Sequence, residues 1–289
     1  MNMTRSVYFM SLMILLIGMA SCEDVIEVDV PTESPRLIID ALIRVDTTQT
    51  TTLVTVKVSQ TNSFFESVPP ANLQQITLTN LDFPLGGTDP PVLNEVETGS
   101  GIYSRLFSTA YLTQGRLFMQ VDFEDKFFVA NAQFIPTVPM DALENGDGIL
   151  FDEDDTEIIV TITDDPDRED FYLFDFDFAN FLVTEDEFYQ GQEFSFSYYY
   201  DEDLMPGDEV AVSIMGVNQD FAIYMDKLIE QSEGGNGPFD TPAITVRGNF
   251  INATNIDNEG TFDNTGDPNN FALGYFAVVQ EFKEVLVID

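Results

Sequence analysis

The chain contains no histidine, no tryptophan and one cysteine, and only 11 Lys and Arg stand against 51 Asp and Glu. Without histidine there is no imidazole base, no Ser-His-Asp or Cys-His arrangement, and no histidine-ligated zinc or haem. Without tryptophan there is no indole platform for a sugar. One cysteine cannot form an intrachain disulfide, so stability must come from burial and hydrogen bonding. The shortage of basic residues gives a formal charge of −40 and excludes nucleic-acid phosphate as a partner, because no basic surface is there to release counterions. It also argues against direct adhesion to anionic lipid headgroups. Catalysis, if any, would fall to carboxylates, lysine, tyrosine or a metal held through oxygen.

The one thiol is placed where a lipid would be attached. Arg5 and the amino terminus supply positive charge, Val7 to Met19 is apolar apart from Ser11 and Gly18, and Met19-Ala20-Ser21-Cys22 follows. The apolar run is short for a bilayer and ends in small residues, which predicts processing rather than a transmembrane helix. An ordinary secretory signal is the alternative, and Met19 stands where leucine is commoner. Residues 1–21 are read as a lipoprotein signal peptide, Cys22 as the acylated residue and 22–34 as a tether. Two or three acyl chains, at ~0.8 kcal/mol per buried methylene, hold durably where one does not. Removing residues 1–21, which carry Arg5 and no acid, leaves 268 residues and a charge of about −41.

The acidity is not that of a disordered chain. Hydrophobic residues make up 44% of the sequence, with 26 Phe and 10 Tyr, enough to build a core. Solubility is the plain reading of most carboxylates.

From Pro35 the pattern is β. Leu37 to Ile43 is a mostly apolar run; Val54, Val56 and Val58 alternate with Thr55, Lys57 and Ser59; Ile76 and Leu78 alternate with threonines. Further strands are predicted over 101–107, 115–123 and 126–134, which suggests an immunoglobulin-like β-sandwich over 35–135. Pro136 and Pro139 mark a connector. A second β-rich domain is predicted over 140–289. In it Phe174, Phe176 and Phe178 share one strand face, and Phe194, Phe196 and Tyr198 repeat the scheme. One amphipathic helix begins at an Asn218 cap, carries Phe221, Tyr224, Met225, Leu228 and Ile229 on one stripe, and stops at Gly234-Gly235.

Acidic clusters stand at 152–155, 164–167, 201–203 and 257–267. Calcium (Ca2+) would find oxygen ligands there, yet no stretch fits the EF-hand loop: Leu143 and Pro268 occupy positions that forbid it. Solvated loops are the favoured reading, with calcium an open alternative. A carboxylate pair for glycoside cleavage carries no information where acids are so many. Two places are candidates for partner binding: Phe239, the one large apolar residue of a Gly- and Pro-rich stretch, and the strand edge near Tyr199.

Several segments together resemble one family of Bacteroidota outer-membrane lipoproteins, catalogued as domain of unknown function 4249. The resemblance starts with Cys22-Glu23-Asp24-Val25-Ile26-Glu27-Val28 and Pro35 to Ala41. It continues through Ile135-Pro136, Asp165-Pro166 before Asp170-Phe171-Tyr172, Tyr224, Gly237-Pro238-Phe239 with Pro242, Gly248-Asn249 and Leu273-Gly274-Tyr275-Phe276. Residues 250–270 look like an insertion. Glu23 and Asp24 resemble the signal that sends such lipoproteins to the outer face of the outer membrane. The resemblance implies an accessory of a TonB-dependent-receptor-like barrel, and brings no catalytic residues. The expectation is a non-enzymatic, surface-exposed lipoprotein: partner or lid of such a barrel, in uptake of a nutrient such as peptide or in envelope-complex assembly. The alternatives are a free-standing binding or adhesion lipoprotein, and a carboxylate- or calcium-dependent enzyme.

Overall fold

The computed structural model describes residues 34–63, 66–83, 90–148, 156–200, 204–232, 245–257 and 270–289. Within them run fifteen strands: β1 (Leu37–Val45), β2 (Thr51–Gln60), β3 (Gln75–Asn80), β4 (Asn94–Glu95), β5 (Ile102–Ser108), β6 (Arg116–Phe123), β7 (Lys126–Ile135), β8 (Met140–Asn145), β9 (Thr156–Thr163), β10 (Phe171–Asp175), β11 (Phe181–Glu185), β12 (Glu193–Tyr200), β13 (Glu209–Val217), β14 (Ile251–Asn252) and β15 (Leu273–Val287). A one-turn helix, α1 (Thr109–Leu112), a longer one, α2 (Gln219–Ser232), and a short 3-10 helix at Asp186–Phe188 complete the set.

The spine is one long sheet in the order β11-β10-β13-β15-β1-β2-β5-β4. β15 stitches its two ends together. The residues Leu273 to Gln280 pair in parallel with β1, and Glu281 to Val287 pair antiparallel with β13. The chain is thus mainly β, as its alternation predicts, and Pro35–Asp289 form one compact unit. The connector around Pro136 joins β7 to β8, while β15 carries the hydrogen-bonded sheet across it.

Beneath one end of the spine, β3, β6 and β7 form a second layer, and the core between holds Ile39, Ile43, Val54, Val56, Leu78 and Met119. β7 then touches the spine directly, Phe134 and Ile135 pairing in parallel with Val278 and Val279. Under the other end lies the three-stranded sheet β12-β9-β8. Aromatics fill that gap: Tyr198 stacks on Phe176 at 3.9 Å, Tyr189 on Phe194 at 4.0 Å, and Phe196 meets Phe174 edge-on at 5.1 Å. Such pairs add about 0.5–1.5 kcal/mol each beyond burial.

One sequence expectation shifts here. The strand expected through Phe178 stops at Asp175, because Asp177, Phe178 and Ala179 all take the left-handed conformation, with φ of 66°, 50° and 66°. Phe178 therefore turns outward, while Phe174 and Phe176 are buried. Leu143, which forbids an EF-hand ligand, lies in strand β8, and the acidic cluster at 152–155 lies outside the described residues.

α2 forms as its stripe predicts. Asn218 Oδ1 accepts the Phe221 amide at 2.9 Å, the expected N-cap. Phe221 and Ala222 are buried against Ala277 and Val279 of β15 and Met215 and Val217 of β13. The helix covers only that half of the outer sheet face. The other half, over β1, β2 and β5, has no layer of described residues on it. The connector between the halves passes so near β13 that a side chain at Gly216 would overlap the Pro136 carbonyl.

Candidate functional site

The step between α2 and the uncovered sheet is a groove of about 770 Å³, a size suited to an organic ligand or a peptide segment. Its floor is the outward face of β1 and β2: Ile38, Asp40, Leu42, Arg44, Thr55 and Lys57. Its wall is α2, through Phe221, Tyr224, Met225 and Leu228, with Phe181 of β11 at one end. A second cavity of about 440 Å³ shares Tyr224, Thr245, Val246 and Tyr275 with it and adds Asp220, Lys227 and Arg247.

Local sequence explains how these parts are held. Strand alternation sends Ile39, Ala41 and Ile43 into the core and Ile38, Asp40, Leu42 and Arg44 outward. Parallel pairing then sets Tyr275 beside Asp40. The strip 245–248 is fixed at its end by Asn249, whose Nδ2 donates to the Phe276 carbonyl at 2.8 Å and whose Oδ1 accepts the Phe276 amide at 2.8 Å. Gly248 lies directly over the Gly274 carbonyl, and Gly274 itself has φ +90°. Side chains at either position would collide, so both glycines are required where strip and strand meet.

Three rings form the corner of the groove. Tyr275 lies 4.7 Å from Phe221 and 5.0 Å from Tyr224. Burial, with Asp40 adding to it, pushes the Tyr224 hydroxyl up to about 12; burial, with Asp220 and Tyr224, does the same to Tyr275. Both stay protonated at neutral pH.

Electrostatically the site is unlike the rest of the chain. Four of the 11 basic residues line the two cavities: Arg44, Lys57, Lys227 and Arg247. Only Asp40 and Asp220 oppose them within the lining. Arg44 is balanced by Asp175 at 2.7 Å and Glu281 at 3.2 Å. Asp40 and Lys57 are cross-strand partners. Beyond the groove the same bare face continues over β5, where exposed Leu53 pairs with exposed Leu106 and Lys57 with Ile102. Among the ten outward residues Ile38, Asp40, Leu42, Arg44, Leu53, Thr55, Lys57, Ile102, Ser104 and Leu106, Asp40 alone is acidic. This surface is depleted in negative charge.

The buried acids lie elsewhere and hold turns together. Asp164, Asp170 and Asp186 are buried around Tyr172, whose single hydroxyl hydrogen-bonds both Asp164 and Asp170. Asp186 accepts the Asp170 amide at 2.8 Å, and Arg168 pairs with Asp170 at 2.8 Å. Burial pushes the Asp170 carboxyl up, with Arg168 pulling it back. No cluster of three metal-ligating side chains occurs among the described residues.

The residues singled out from sequence are not brought together. Tyr199 is half-buried on edge strand β12, away from the groove, and its hydroxyl donates to Glu157 at 3.1 Å. Cys22, Glu23, Asp24, Phe239 and most of the acidic clusters lie outside the described residues. The groove residues went unread because they come from β1, β2, α2, the strip and β15. The one available signal was the scarcity of basic side chains, which makes each of the 11 worth locating.

A family model described as Domain of unknown function (DUF4249) matches residues 23–284. The chain belongs to that family. No curated protein matches it.

Proposed function

We propose that this chain is a lipid-anchored, non-enzymatic envelope protein that docks on an outer-membrane barrel of TonB-dependent-receptor type, in nutrient uptake or envelope-complex assembly. The observation that carries the docking is the acid-poor face over β1, β2 and β5, with exposed Leu53, Ile102 and Leu106, in a chain with 51 acids and 11 bases. Uncompensated carboxylates are costly to bury at an interface, so a partner surface on so acidic a protein must be cleared of them. Exposed apolar side chains gathered on one sheet face have the character of a protein contact. The groove offers cations, tyrosines and two separate carboxylates, a set suited to holding a ligand rather than to nucleophilic chemistry. The anchor at Cys22 and the export signal Glu23-Asp24 would place this face at the cell surface. Phe239 and Tyr199 remain proposed secondary contacts.

A photo-crosslinking residue at position 106 tests the docking in native membranes. Crosslinks to a barrel from position 106, and none from position 188, whose Phe is 86% exposed at the end of a 3-10 helix, are expected. Equal crosslinking from both positions, or none from 106, would contradict it. A free-standing binding lipoprotein is the second reading, favoured by the groove itself, and predicts the last result.

A further inference from the structure

The smaller cavity gathers hydrogen-bond donors and gives them little to bond. Lys227 and Arg247 line it, and neither is ion-paired with a described residue. Tyr224 and Tyr275 line it as well, and neither hydroxyl is hydrogen-bonded to a described residue. One carboxylate, Asp220, faces these four. The two cations only donate and the two hydroxyls can donate beside them, so an acceptor-rich anion complements the set. Where acids outnumber bases nearly five to one, an uneven pair of free cations at one cavity is a local inversion of the chain's charge.

The position of Arg247 is fixed. Its guanidinium lies 4.8 Å from the Phe271 ring centre, and Arg36 lies 4.3 Å from the same ring. A stacked guanidinium keeps its in-plane N–H groups for a carboxylate. The strip Thr245 to Gly248 borders the cavity and belongs to no strand or helix; it makes no backbone hydrogen bond to a described residue. Its amides and carbonyls lie along the route from the small cavity to the large one, unpaired by any described backbone group. The large cavity continues with Phe221, Met225, Leu228 and Leu273.

We propose that the two cavities together bind an extended peptide through a carboxylate: the carboxylate sits between Lys227 and Arg247 and accepts from Tyr224 and Tyr275. Apolar side chains follow into the larger groove while the peptide backbone runs along residues 245–248. An aliphatic acid would satisfy the cations but leave the backbone strip unmatched. An extended peptide matches both. This assignment rests on the uptake branch of the reading above and names its ligand.

Calorimetric titration of the full chain purified in detergent tests it. The probes are N-acetyl-trileucine with a free carboxylate, its C-terminal amide, a tripeptide amide with one internal glutamate, and decanoate. At least one carboxylate peptide should bind tenfold or more tighter than the uncharged amide. Preference for the free acid assigns the site to a peptide C-terminus, and preference for the internal glutamate assigns it to a side chain. Lys227→Gln and Arg247→Gln should each weaken the carboxylate peptide about tenfold and leave the uncharged amide unchanged. Both positions are exposed, so folding is not at stake. Equal binding of acid and amide, tighter binding of decanoate than of either peptide, or no binding at millimolar probe would overturn the assignment. A barrel that co-purifies with a chain binding no probe would remove this inference and leave the docking reading standing. Peptide binding by a chain with no barrel partner would do the reverse.

Discussion

Leu53 and Leu106 stand directly opposite one another across β2 and β5, and both point away from the core, 62% and 60% exposed. A cross-strand leucine pair is ordinarily part of a covered face. Here its neighbours along the strands, Thr55 and Ser104, are also uncovered by any described element. Replacing both leucines with aspartate should therefore leave the fold intact. The cost should be only about 1–2 kcal/mol for the pair, because aspartate is a poor strand residue and two like charges then stand opposite one another. Urea denaturation checks this. A loss of several kcal/mol would mean the pair is core.

Asn249 is the clamp that holds the strip 245–248 against β15. Asn249→Ala removes two hydrogen bonds to Phe276 and leaves that residue's amide and carbonyl without their partner. The expected cost is about 1–3 kcal/mol, read as a lower urea midpoint with an unchanged slope. An unchanged midpoint would show that the strip is held by other means.

Stability should rise as pH falls from neutral towards the ordinary carboxylate range, and fall again in stronger acid. The carboxyl of Asp170 is raised by burial. Its folded form therefore binds a proton more readily than its unfolded form. That stability is fully present below the ordinary carboxylate range and is lost as pH rises through the raised value. Relief of self-repulsion on a chain of −40 acts in the same direction. Opposing this, Asp46 is lowered by its bonds to Thr48, Asp82 by Arg116 and Glu157 by Ser197. Their contributions are present above the ordinary range and disappear as pH falls through the lowered values. Salt should raise the melting temperature at pH 7.5 and do so less at pH 5.5, since screening then has fewer charges to act on. A melting temperature flat in both variables would show that the charges do not act collectively.

Much of the fold is legible in the sequence. Alternation at Val54, Val56 and Val58 needs no knowledge of partners, because one face of β2 meets the core and the other does not. The helix is readable from Asn218 and its stripe for the same local reason. The turn at Asp177–Ala179 is not, since nothing in Phe-Asp-Phe requires positive φ there. Nor is the joining of both ends of the sheet by β15, because periodicity marks a strand without naming its neighbours. The groove is hidden for that reason too. Asp40 and Tyr275 become neighbours only through the parallel pairing of the first and last strands.

The proposed lipid anchor is tested by Cys22→Ala. The substituted chain should lose its acyl groups and leave the membrane fraction on a high-salt wash. Retention after the wash would point to a tight protein partner or a membrane span in place of the lipid.

The proposed docking is tested most directly by isolating the full chain from native membranes in mild detergent and identifying what accompanies it. An outer-membrane barrel should co-purify in near-stoichiometric amount. It should be lost from the Leu53→Asp, Leu106→Asp double variant and kept with Phe188→Asp. Isolation of the chain alone, or full retention of the barrel by the double variant, would contradict the assignment of this face.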